Sequence, residues 1–518
     1  MSTELRQATS SYQLEAMLPD SCVLRWYHAV LCGLSISLFL LLSYLPVSSQ
    51  ATWASVVKGQ SRLALTERFP LSIGMRSFES GWASHEIIAG LNEVGGAELL
   101  SFTLASIQTL VLIGWTTLLF RIGGPLIAIV GSLVMIGNAF IFTRGLDPST
   151  FGQIAFFALA LLLSKSMGYT RPRHCWCRAS KFNWIAIALL FSFWANVDLS
   201  FLIGLAWLGC FAVSVWVDRS IRHGWRIAFR SHEFRSRVLL FEISTAATLV
   251  NPQGWRLWEA FVWTQGNPLV GSLGQWTMTP MASLPGAFVM IGWTVWVALS
   301  RRSQTSAFVM ATPLLATVGV AFNPSLLVWL APSFLLSIAV LNARSTSPDE
   351  SVGSSSTTQS AQPKPLRFVF TLTCGLMIWM GFSFSPWGSA VLGGKQRSEV
   401  AVVGANLPIG LSEHLKERPP ASLMCCPIHW SDWLQTRVKI PLMVGSDQGV
   451  IPRSVLNDYQ SIYRGQTAWP RIAEKYSLDG IIIDKADQQV LIRKIRRGVA
   501  SWEVTYEDER SILLEKKR

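Results

Sequence analysis

Long apolar runs separated by short polar segments occupy most of the first 386 residues of the chain. Runs of this length and polarity predict membrane helices, because an apolar segment of roughly 20 residues spans the hydrocarbon core of a bilayer. The runs lie at 24–45, 97–120, 123–142, 151–168, 183–197, 199–217, 238–250, 286–300, 306–322, 325–341 and 367–386. They predict an all-α polytopic membrane domain with about eleven crossings. The stretch 183–217 is alternatively one hairpin that does not fully cross.

Lysine and arginine are concentrated in the segments that follow alternate runs. Basic residues cluster at 171–181 and at 219–237, and Arg301 and Arg302 follow the eighth run. If every run crosses the bilayer, these segments share one side, and their positive charge marks that side as cytoplasmic. The pattern therefore predicts a multi-pass inner-membrane protein with residues 1–23 in the cytoplasm.

Composition supports a membrane protein. Half of the residues are hydrophobic and only 14% are charged, against roughly 25% in soluble domains. The 23 tryptophans suit the two interfaces, where an indole places its ring in apolar surroundings and its N–H in wet headgroups. The net charge of +13 resides in short loops, so it predicts membrane lipid as a partner and no nucleic acid.

The chain changes character after the tenth run. Residues 343–366 are rich in Ser, Thr and Pro, which predicts a disordered cytoplasmic linker between the membrane domain, 24–342, and the last helix, 367–386. Residues 387–518 then have the composition of a small extracytoplasmic α/β domain.

Three strands are predicted in this last domain. A helix at 470–476 precedes a buried strand at 478–484. The segments 501–506 and 511–515 predict a strand pair around the turn 507–510.

The outer loop 46–96 is long for a connection between membrane helices, and long loops are often functional. Its second half includes Trp82, His85 and Glu86. Ser84 could cap a helix that begins at His85, which would place Glu86 in the first turn, where the helix dipole stabilises a carboxylate. This structural interpretation of Glu86 and a functional one both stay open.

Asp198 lies between two apolar runs. A carboxylate at the centre of a bilayer costs roughly 2.5–3.5 kcal/mol, and less near a helix end. Asp198 therefore either caps the sixth run together with Asn196 or points into a cavity at the outer face.

Two further outer turns contain candidate binding residues. Arg144 either pairs with Asp147 or binds an anionic phosphate through its planar fork of donors. Asn251 and Arg256 lie in a turn rich in Pro and Gly that ends the seventh run, where helix termination and membrane anchoring explain them as well as ligand binding does. The sequence contains no metal-ligand framework, Gly-rich phosphate loop or nucleophile elbow.

Several short motifs resemble those of bacterial polytopic membrane proteins akin to the GT-C glycosyltransferases, which use dolichyl- or polyprenyl-phosphate sugars. They are Trp82-Ala83-Ser84-His85-Glu86 followed by Gly95-Gly96, Phe193-Trp194-Ala195-Asn196, and Thr248-Leu249-Val250-Asn251-Pro252-Gln253-Gly254-Trp255. Asp198 stands where that group usually has a His, and Gln275 stands where it commonly has a Glu. The resemblance covers most of the chain.

The resemblance implies an enzyme that transfers a sugar from a polyprenyl-phosphate donor to an acceptor at the outer face. Glu86 would be the general base, with Glu79 in reserve, and Asp198 would hold a divalent cation or orient the acceptor. His85, Trp82, Arg144, Asn251 and Arg256 would bind the substrates. The competing hypothesis is a non-enzymatic scaffold or assembly protein whose outer domain binds a partner.

Overall fold

The computed structural model describes residues 26–60, 70–71, 81–143, 145–166, 181–259, 292, 307, 311–312, 315, 326–345, 366–420, 422–446, 451–496 and 501–517. The named elements of the first part are α1 Trp26–Tyr44, α2 Gln50–Gln60, α3 Trp82–Gly123, α4 Pro125–Phe142, α5 Pro148–Ser166, α6 Lys181–Val197, α7 Phe201–His223, α8 Trp225–Arg230, α9 His232–Ala247, α10 Leu327–Ser345 and α11 Leu366–Phe384. The C-terminal part contains α12 Pro386–Val391, α13 Glu399–Val403, α14 Ile409–Glu417, β1 Met424–Cys425, α15 Ile428–Val438, α16 Arg453–Tyr463, α17 Trp469–Lys475, β2 Gly480–Asp484, α18 Gln489–Arg496, β3 Trp502–Glu507 and β4 Ser511–Lys516.

The apolar runs form helices close to the predicted positions. Among the described helices, α1, α3, α4 and α7 are long and apolar enough to cross a membrane, and α5, α6, α10 and α11 contain shorter apolar stretches. A turn at residues 198–200 separates α6 from α7, and α7 alone has 23 residues. The predicted runs at 286–300 and 306–322 lie almost entirely outside the described residues.

Helix α3 is longer than the apolar run that predicted it. It starts at Trp82, 15 residues before the predicted span, and its backbone leaves the helical conformation at Gly96, where φ is 61°. A left-handed φ is accessible to glycine without the penalty that a Cβ imposes. The helix therefore has an outer arm, 82–95, and an apolar part, 97–123, which matches the predicted run.

Large aromatic side chains fill the centre of the bundle. Trp115, Phe156, Trp194, Trp207 and Trp329 come from five helices and are buried together. The ring of Phe156 lies within 6.3 Å of the other four, centroid to centroid. Packing of this kind fixes the relative positions of the helix ends, on which the outer loops depend.

The C-terminal part folds around a four-stranded sheet with the order β1-β2-β4-β3. β1 and β2 are parallel, and β4 pairs antiparallel with both β2 and β3. All five residues of β2 are buried, as a continuous apolar run requires when both faces of a strand are covered. The predicted strands and the predicted strand pair are confirmed, as is the small C-terminal sheet beside an α-helical membrane part.

The sheet domain packs directly on α2 and the α4–α5 turn. Trp53, Leu146, Leu411, Trp430 and Leu513 belong to one buried cluster that joins α2, the α4–α5 turn and the C-terminal domain. The backbone N–H of Val47 donates to the carbonyl of Val402 over 2.8 Å, and the amide of Gln50 donates to the carbonyl of Ile428 over 3.0 Å.

An ion pair also joins the domain to the bundle. Arg397 binds Glu98 through both prongs of its fork, with an Nε–Oε1 distance of 2.7 Å, and donates to the carbonyl of Tyr44. The two side chains are only 16% and 18% exposed. A bidentate pair that is this shielded keeps more of its electrostatic attraction than a surface pair does.

We expect Arg397→Met to lower the melting temperature and to make the C-terminal domain more sensitive to protease. Removal of one partner leaves the Glu98 carboxylate shielded from water and unpaired, at a cost of about 2 kcal/mol. Differential scanning fluorimetry and limited proteolysis would measure both effects. The control is Arg437→Met, whose partner Glu399 forms a more exposed pair of the same type, and equal effects of the two variants would contradict this role for Arg397.

A tight crossing fixes α2 against the start of α3. A Cβ built on Gly59 would lie 2.1 Å from the carbonyl oxygen of His85 and 2.6 Å from the Cβ of Ala89. We therefore expect Gly59→Ala to displace α2 and to destabilise the outer loop by about 1–3 kcal/mol. Thermal unfolding of Gly59→Ala beside Gly90→Ala would test this, because an added Cβ at Gly90 meets no atom within 4 Å. Similar melting temperatures for both variants would refute the crossing.

Candidate functional site

Several helix ends on the bundle face that carries the C-terminal domain meet at the side chain of Asn196. Its Oδ1 accepts a hydrogen bond from the indole N–H of Trp82 over 2.7 Å, and its Nδ2 donates to the carbonyl of Val250 over 2.8 Å. One amide thus connects the start of α3, the end of α6 and the segment after α9. The hydroxyl of Ser84 adds a second link, donating to the carbonyl of Val197 over 2.8 Å.

The close approach of these segments depends on Gly81. This residue has a φ of 79°, and a Cβ on it would lie 2.5 Å from the carbonyl oxygen of Val197. The helix therefore starts at Trp82, three residues before the predicted start at His85. The prediction that Ser84 caps the helix is wrong, because its hydroxyl instead donates to the carbonyls of Gly81 and Val197.

Asp198 lies in the turn that joins α6 to α7. Its Oδ2 accepts the backbone N–H of Ser200 over 3.1 Å, and the hydroxyl of Ser200 accepts the indole N–H of Trp194 over 2.9 Å. Helix α5 approaches the same turn at Gly152, where an added Cβ would lie 2.8 Å from Asp198 Oδ2. Only a residue without a side chain allows α5 to lie this close to the carboxylate.

Asp147 is the second carboxylate of this region, and sequence reasoning considered it only as a partner of Arg144. It precedes Pro148 at the start of α5, and its Oδ1 accepts the hydroxyls of Ser149 and Thr150 and the backbone N–H of Thr150. These bonds are those of a helix N-cap. The Asp-Pro-Ser-Thr order in the sequence signals the cap, but it gives no sign that Asp198 lies nearby.

The two carboxylates interact electrostatically. Burial raises the pKa of Asp198 to about 6, and the charge of Asp147 adds to the increase, while hydrogen bonds from Ser200 oppose it. Burial likewise raises the pKa of Asp147 above its ordinary value. Two half-buried carboxylates from different helix ends favour a proton or a cation between them.

A cavity lies between α1, α3, α4, α5 and α10. Trp329, which also meets Gly152, forms part of its wall. Its polar lining comes from the three amides of Gln108, Asn138 and Gln153, two of which share a 3.0 Å hydrogen bond from Gln108 Nε2 to Gln153 Oε1. The remaining lining is apolar, which is typical of small-molecule pockets.

Glu86 and His85 occupy different environments on the first turns of α3. Glu86 follows Trp82 by four residues, so both lie on the same side of the helix, the side that contacts the α6–α7 turn through Asn196. Glu86 is half-buried, whereas the side chain of His85 is buried and its carbonyl faces Gly59 of α2. Helix periodicity thus places Glu86 on the same side of α3 as Trp82.

The remaining predicted binding residues are less closely associated with this region. Asn251 follows Val250, but its Nδ2 donates to the carbonyls of Thr248 and Gly254, so it closes its own turn. Arg256 is exposed at the end of that turn. Arg144, Glu79 and Gln275 lie outside the described residues.

A separate polar cluster occurs in the C-terminal domain. His429 Nε2 lies 3.0 Å from Asp484 Oδ2, and the ligand atoms of His429, Asp484 and Asp487 are within 4.8 Å of one another. Arg510 lies 3.7 Å from the same oxygen of Asp484. Together His429 and Arg510 lower the pKa of Asp484 against the effect of burial, so an ion-pair network accounts for this buried carboxylate.

No protein-family model and no curated protein sequence matches the chain. Among solved structures, the chain is similar to the oligosaccharyltransferase of Archaeoglobus fulgidus tethered with an acceptor peptide that contains the NVT sequon. The two are 10% identical, the alignment covers 95% of this chain and 74% of that chain, and the TM-score is 0.53.

Two further structures resemble the chain at lower scores. AglB from Archaeoglobus fulgidus, in complex with an inhibitory peptide and a dolichol-phosphate, is 10% identical, with 89% of this chain and 69% of that chain covered and a TM-score of 0.49. ArnT from Cupriavidus metallidurans, bound to undecaprenyl phosphate, is 12% identical, with 94% and 97% covered and a TM-score of 0.46. The similarity with a TM-score of 0.53 shows that the chain has the polytopic membrane fold of an oligosaccharyltransferase. This is a GT-C-type fold, as the sequence predicted.

Proposed function

We propose that the chain is a membrane glycosyltransferase of GT-C type, which transfers a sugar from a polyprenyl-phosphate donor to an acceptor at the bundle face that carries the C-terminal domain. The observation that carries the proposal is the pair Asp147 and Asp198, which two separate helix ends bring close enough to interact electrostatically. The fold shared with an oligosaccharyltransferase supports the same reaction class. A shared fold alone does not specify an activity, so the proposal rests on the two carboxylates.

Glu86 is the proposed general base. The acceptor oxygen forms a bond to the anomeric carbon while the bond from that carbon to the phosphate oxygen breaks, and the acceptor proton passes to a carboxylate. The donor then leaves as polyprenyl phosphate. General base catalysis requires the carboxylate within hydrogen-bond reach of the acceptor hydroxyl, and Glu86 lies on the same side of α3 as Trp82, which contacts Asn196 at the end of α6.

The carboxylate pair fits a divalent cation. Mg²⁺ and Mn²⁺ prefer oxygen ligands and commonly bind one or two carboxylates together with a substrate phosphate. Asp147 accepts hydrogen bonds from Ser149 and Thr150 at Oδ1, and Asp198 accepts the backbone N–H of Ser200 at Oδ2. A bound ion would stabilise negative charge on the leaving phosphate. Ser200 and Trp194 orient Asp198, and the cap bonds orient Asp147.

The other predicted residues have supporting roles in this proposal. Trp82 presents an indole face on which a sugar ring can pack, and its N–H holds Asn196. The arginines Arg144 and Arg256 would bind phosphate, since a guanidinium matches its oxygens. His85 supports the arm that carries Glu86, and Asn251 shapes the neighbouring turn. The membrane would be the inner membrane, with the C-terminal domain and this site outside the cytoplasm.

The direct test is an assay for glycosyl transfer with the purified chain in lipid nanodiscs. A panel of polyprenyl-phosphate sugars would be supplied with Mg²⁺ or Mn²⁺, and release of polyprenyl phosphate would be followed by mass spectrometry. We expect release by the parent protein and its loss on chelation of the metal. The double variant Asp147→Asn/Asp198→Asn serves as the negative control. Equal release by parent and double variant with every donor would overturn the proposal.

A further inference from the structure

The connection between α7 and α9 is strongly basic and lies on the bundle face opposite the C-terminal domain. Residues 218–237 contain six arginines and two carboxylates. Most of this connection is helical. It contains the short helix α8, which lies between Gly224, with φ of 88°, and the cap residue Ser231.

Helix α8 contacts the bundle through one narrow side, and its other side chains are exposed. Ala228 is completely buried, and the ring of Phe229 lies 5.4 Å from that of Trp216 on α7. Trp225 and Ile227 are 59% and 62% exposed, and Ile221 at the end of α7 is 80% exposed. Apolar side chains of this size are thus displayed side by side on one connection.

Exposed arginines alternate with these apolar side chains. Arg222, Arg226, Arg230 and Arg235 are exposed and form no ion pair with any residue that the structure describes. Arg226 lies over the ring of Trp225, 5.2 Å from its centroid. Arg219, by contrast, pairs with Glu233 at 2.9 Å, so the two acidic residues of the segment leave most of its positive charge uncompensated.

We propose that this segment, 218–237, is a binding surface for the headgroups of anionic phospholipids. Interleaved large apolar and cationic side chains match the boundary of a leaflet, where the apolar groups enter the acyl region and the arginines meet phosphodiesters. Arginine binds a phosphate through two parallel hydrogen bonds, which lysine does not. The surface is far from the carboxylate pair along the helices, and the inference is independent of the proposed glycosyl transfer.

Native mass spectrometry of the full chain in a neutral detergent would test the proposal. Phosphatidylglycerol and phosphatidylcholine with identical acyl chains would be titrated separately. We expect at least tenfold preferential retention of phosphatidylglycerol by the parent protein. Each arginine near an anionic surface contributes about a fivefold change in affinity, so Arg222→Gln/Arg226→Gln/Arg230→Gln should reduce that retention at least tenfold.

The control replaces three exposed arginines of the C-terminal domain, Arg418→Gln/Arg464→Gln/Arg471→Gln, which removes the same charge and should leave retention unchanged. The variant Arg222→Lys/Arg226→Lys/Arg230→Lys keeps the charge and should lose retention by a smaller factor, with an unchanged gel-filtration profile. Equal losses in the two glutamine variants would overturn the proposal. Competition by soluble polyphosphate at the same phosphate concentration would also overturn it, since the surface would then recognise phosphate without a lipid.

Discussion

Replacement of Glu86 by Gln is expected to lower kcat by about 10²–10⁴-fold while the fold is retained. Glutamine has nearly the same shape as glutamate but cannot take a proton from the acceptor. The side chain is half-buried on the outer arm of α3, and glutamine can occupy the same space and form hydrogen bonds there. The loss should therefore appear in activity and not in thermal stability.

The measurement is the rate of polyprenyl phosphate release at saturating donor and acceptor. Glu93→Gln is the matched control, since Glu93 belongs to the same arm and is exposed. We expect the control to keep the parent rate. A Glu86→Gln rate equal to that of Glu93→Gln would remove Glu86 as the base and would leave the carboxylate pair as the remaining evidence for catalysis.

Asp198→Asn should abolish most of the activity without lowering stability. The proposed cation would lose one of its two carboxylate ligands, and loss of charge stabilisation of this kind costs about 10²–10³-fold in rate. The thermal stability of Asp198→Asn should instead increase at neutral pH. Burial raises the pKa of Asp198 from 3.8 to about 6, so the ionised side chain destabilises the folded protein at neutral pH, and an uncharged Asn avoids that cost.

The same pKa gives opposite pH dependences for stability and for activity. The folded protein binds a proton at Asp198 more tightly than the unfolded chain does, so the stability from this group is present below pH 4 and is lost as pH rises to about 6. Activity needs the ionised form, so kcat/KM should rise to a plateau above pH 6. Melting curves and rates from pH 4 to 8 would show both. A melting temperature for Asp198→Asn several degrees below the parent at pH 7.5 would instead assign Asp198 a structural role.

Hydrophobic pattern predicted the membrane helices well because burial in lipid is a local property of sequence. It failed for α2, whose sequence from Gln50 to Gln60 is not markedly apolar. This helix is buried by its position between α3 and the C-terminal domain, with Trp53 and Val56 in their common core. A contact such as that between Gln50 and Ile428, which are 378 positions apart, leaves no periodic signal in either segment.

Individual residues of the candidate site could be predicted from the sequence, but their positions relative to one another could not. Asp198 was recognised because a carboxylate between two apolar runs is costly, which the sequence alone reveals. Asp147 was interpreted only as a partner of Arg144, and its proximity to Asp198 arises from the packing of α5 at Gly152. The contact between Trp82 and Asn196 likewise joins residues more than 100 positions apart.

The break at Gly96 gives the outer arm of α3 the mechanics of a lever. The arm can bend at Gly96, and its far end is fixed by the hydrogen bond from Trp82 to Asn196. Glu98, just beyond the bend, binds Arg397 of the C-terminal domain. Glu86 lies ten residues from the pivot, or about 15 Å, so a tilt of roughly 10° at Gly96 would move it by about 2–3 Å. Displacements of 1 Å can change enzyme rates a hundredfold, so the rate of the proposed transfer would depend on how firmly the contacts at Trp82 and Glu98 hold this arm.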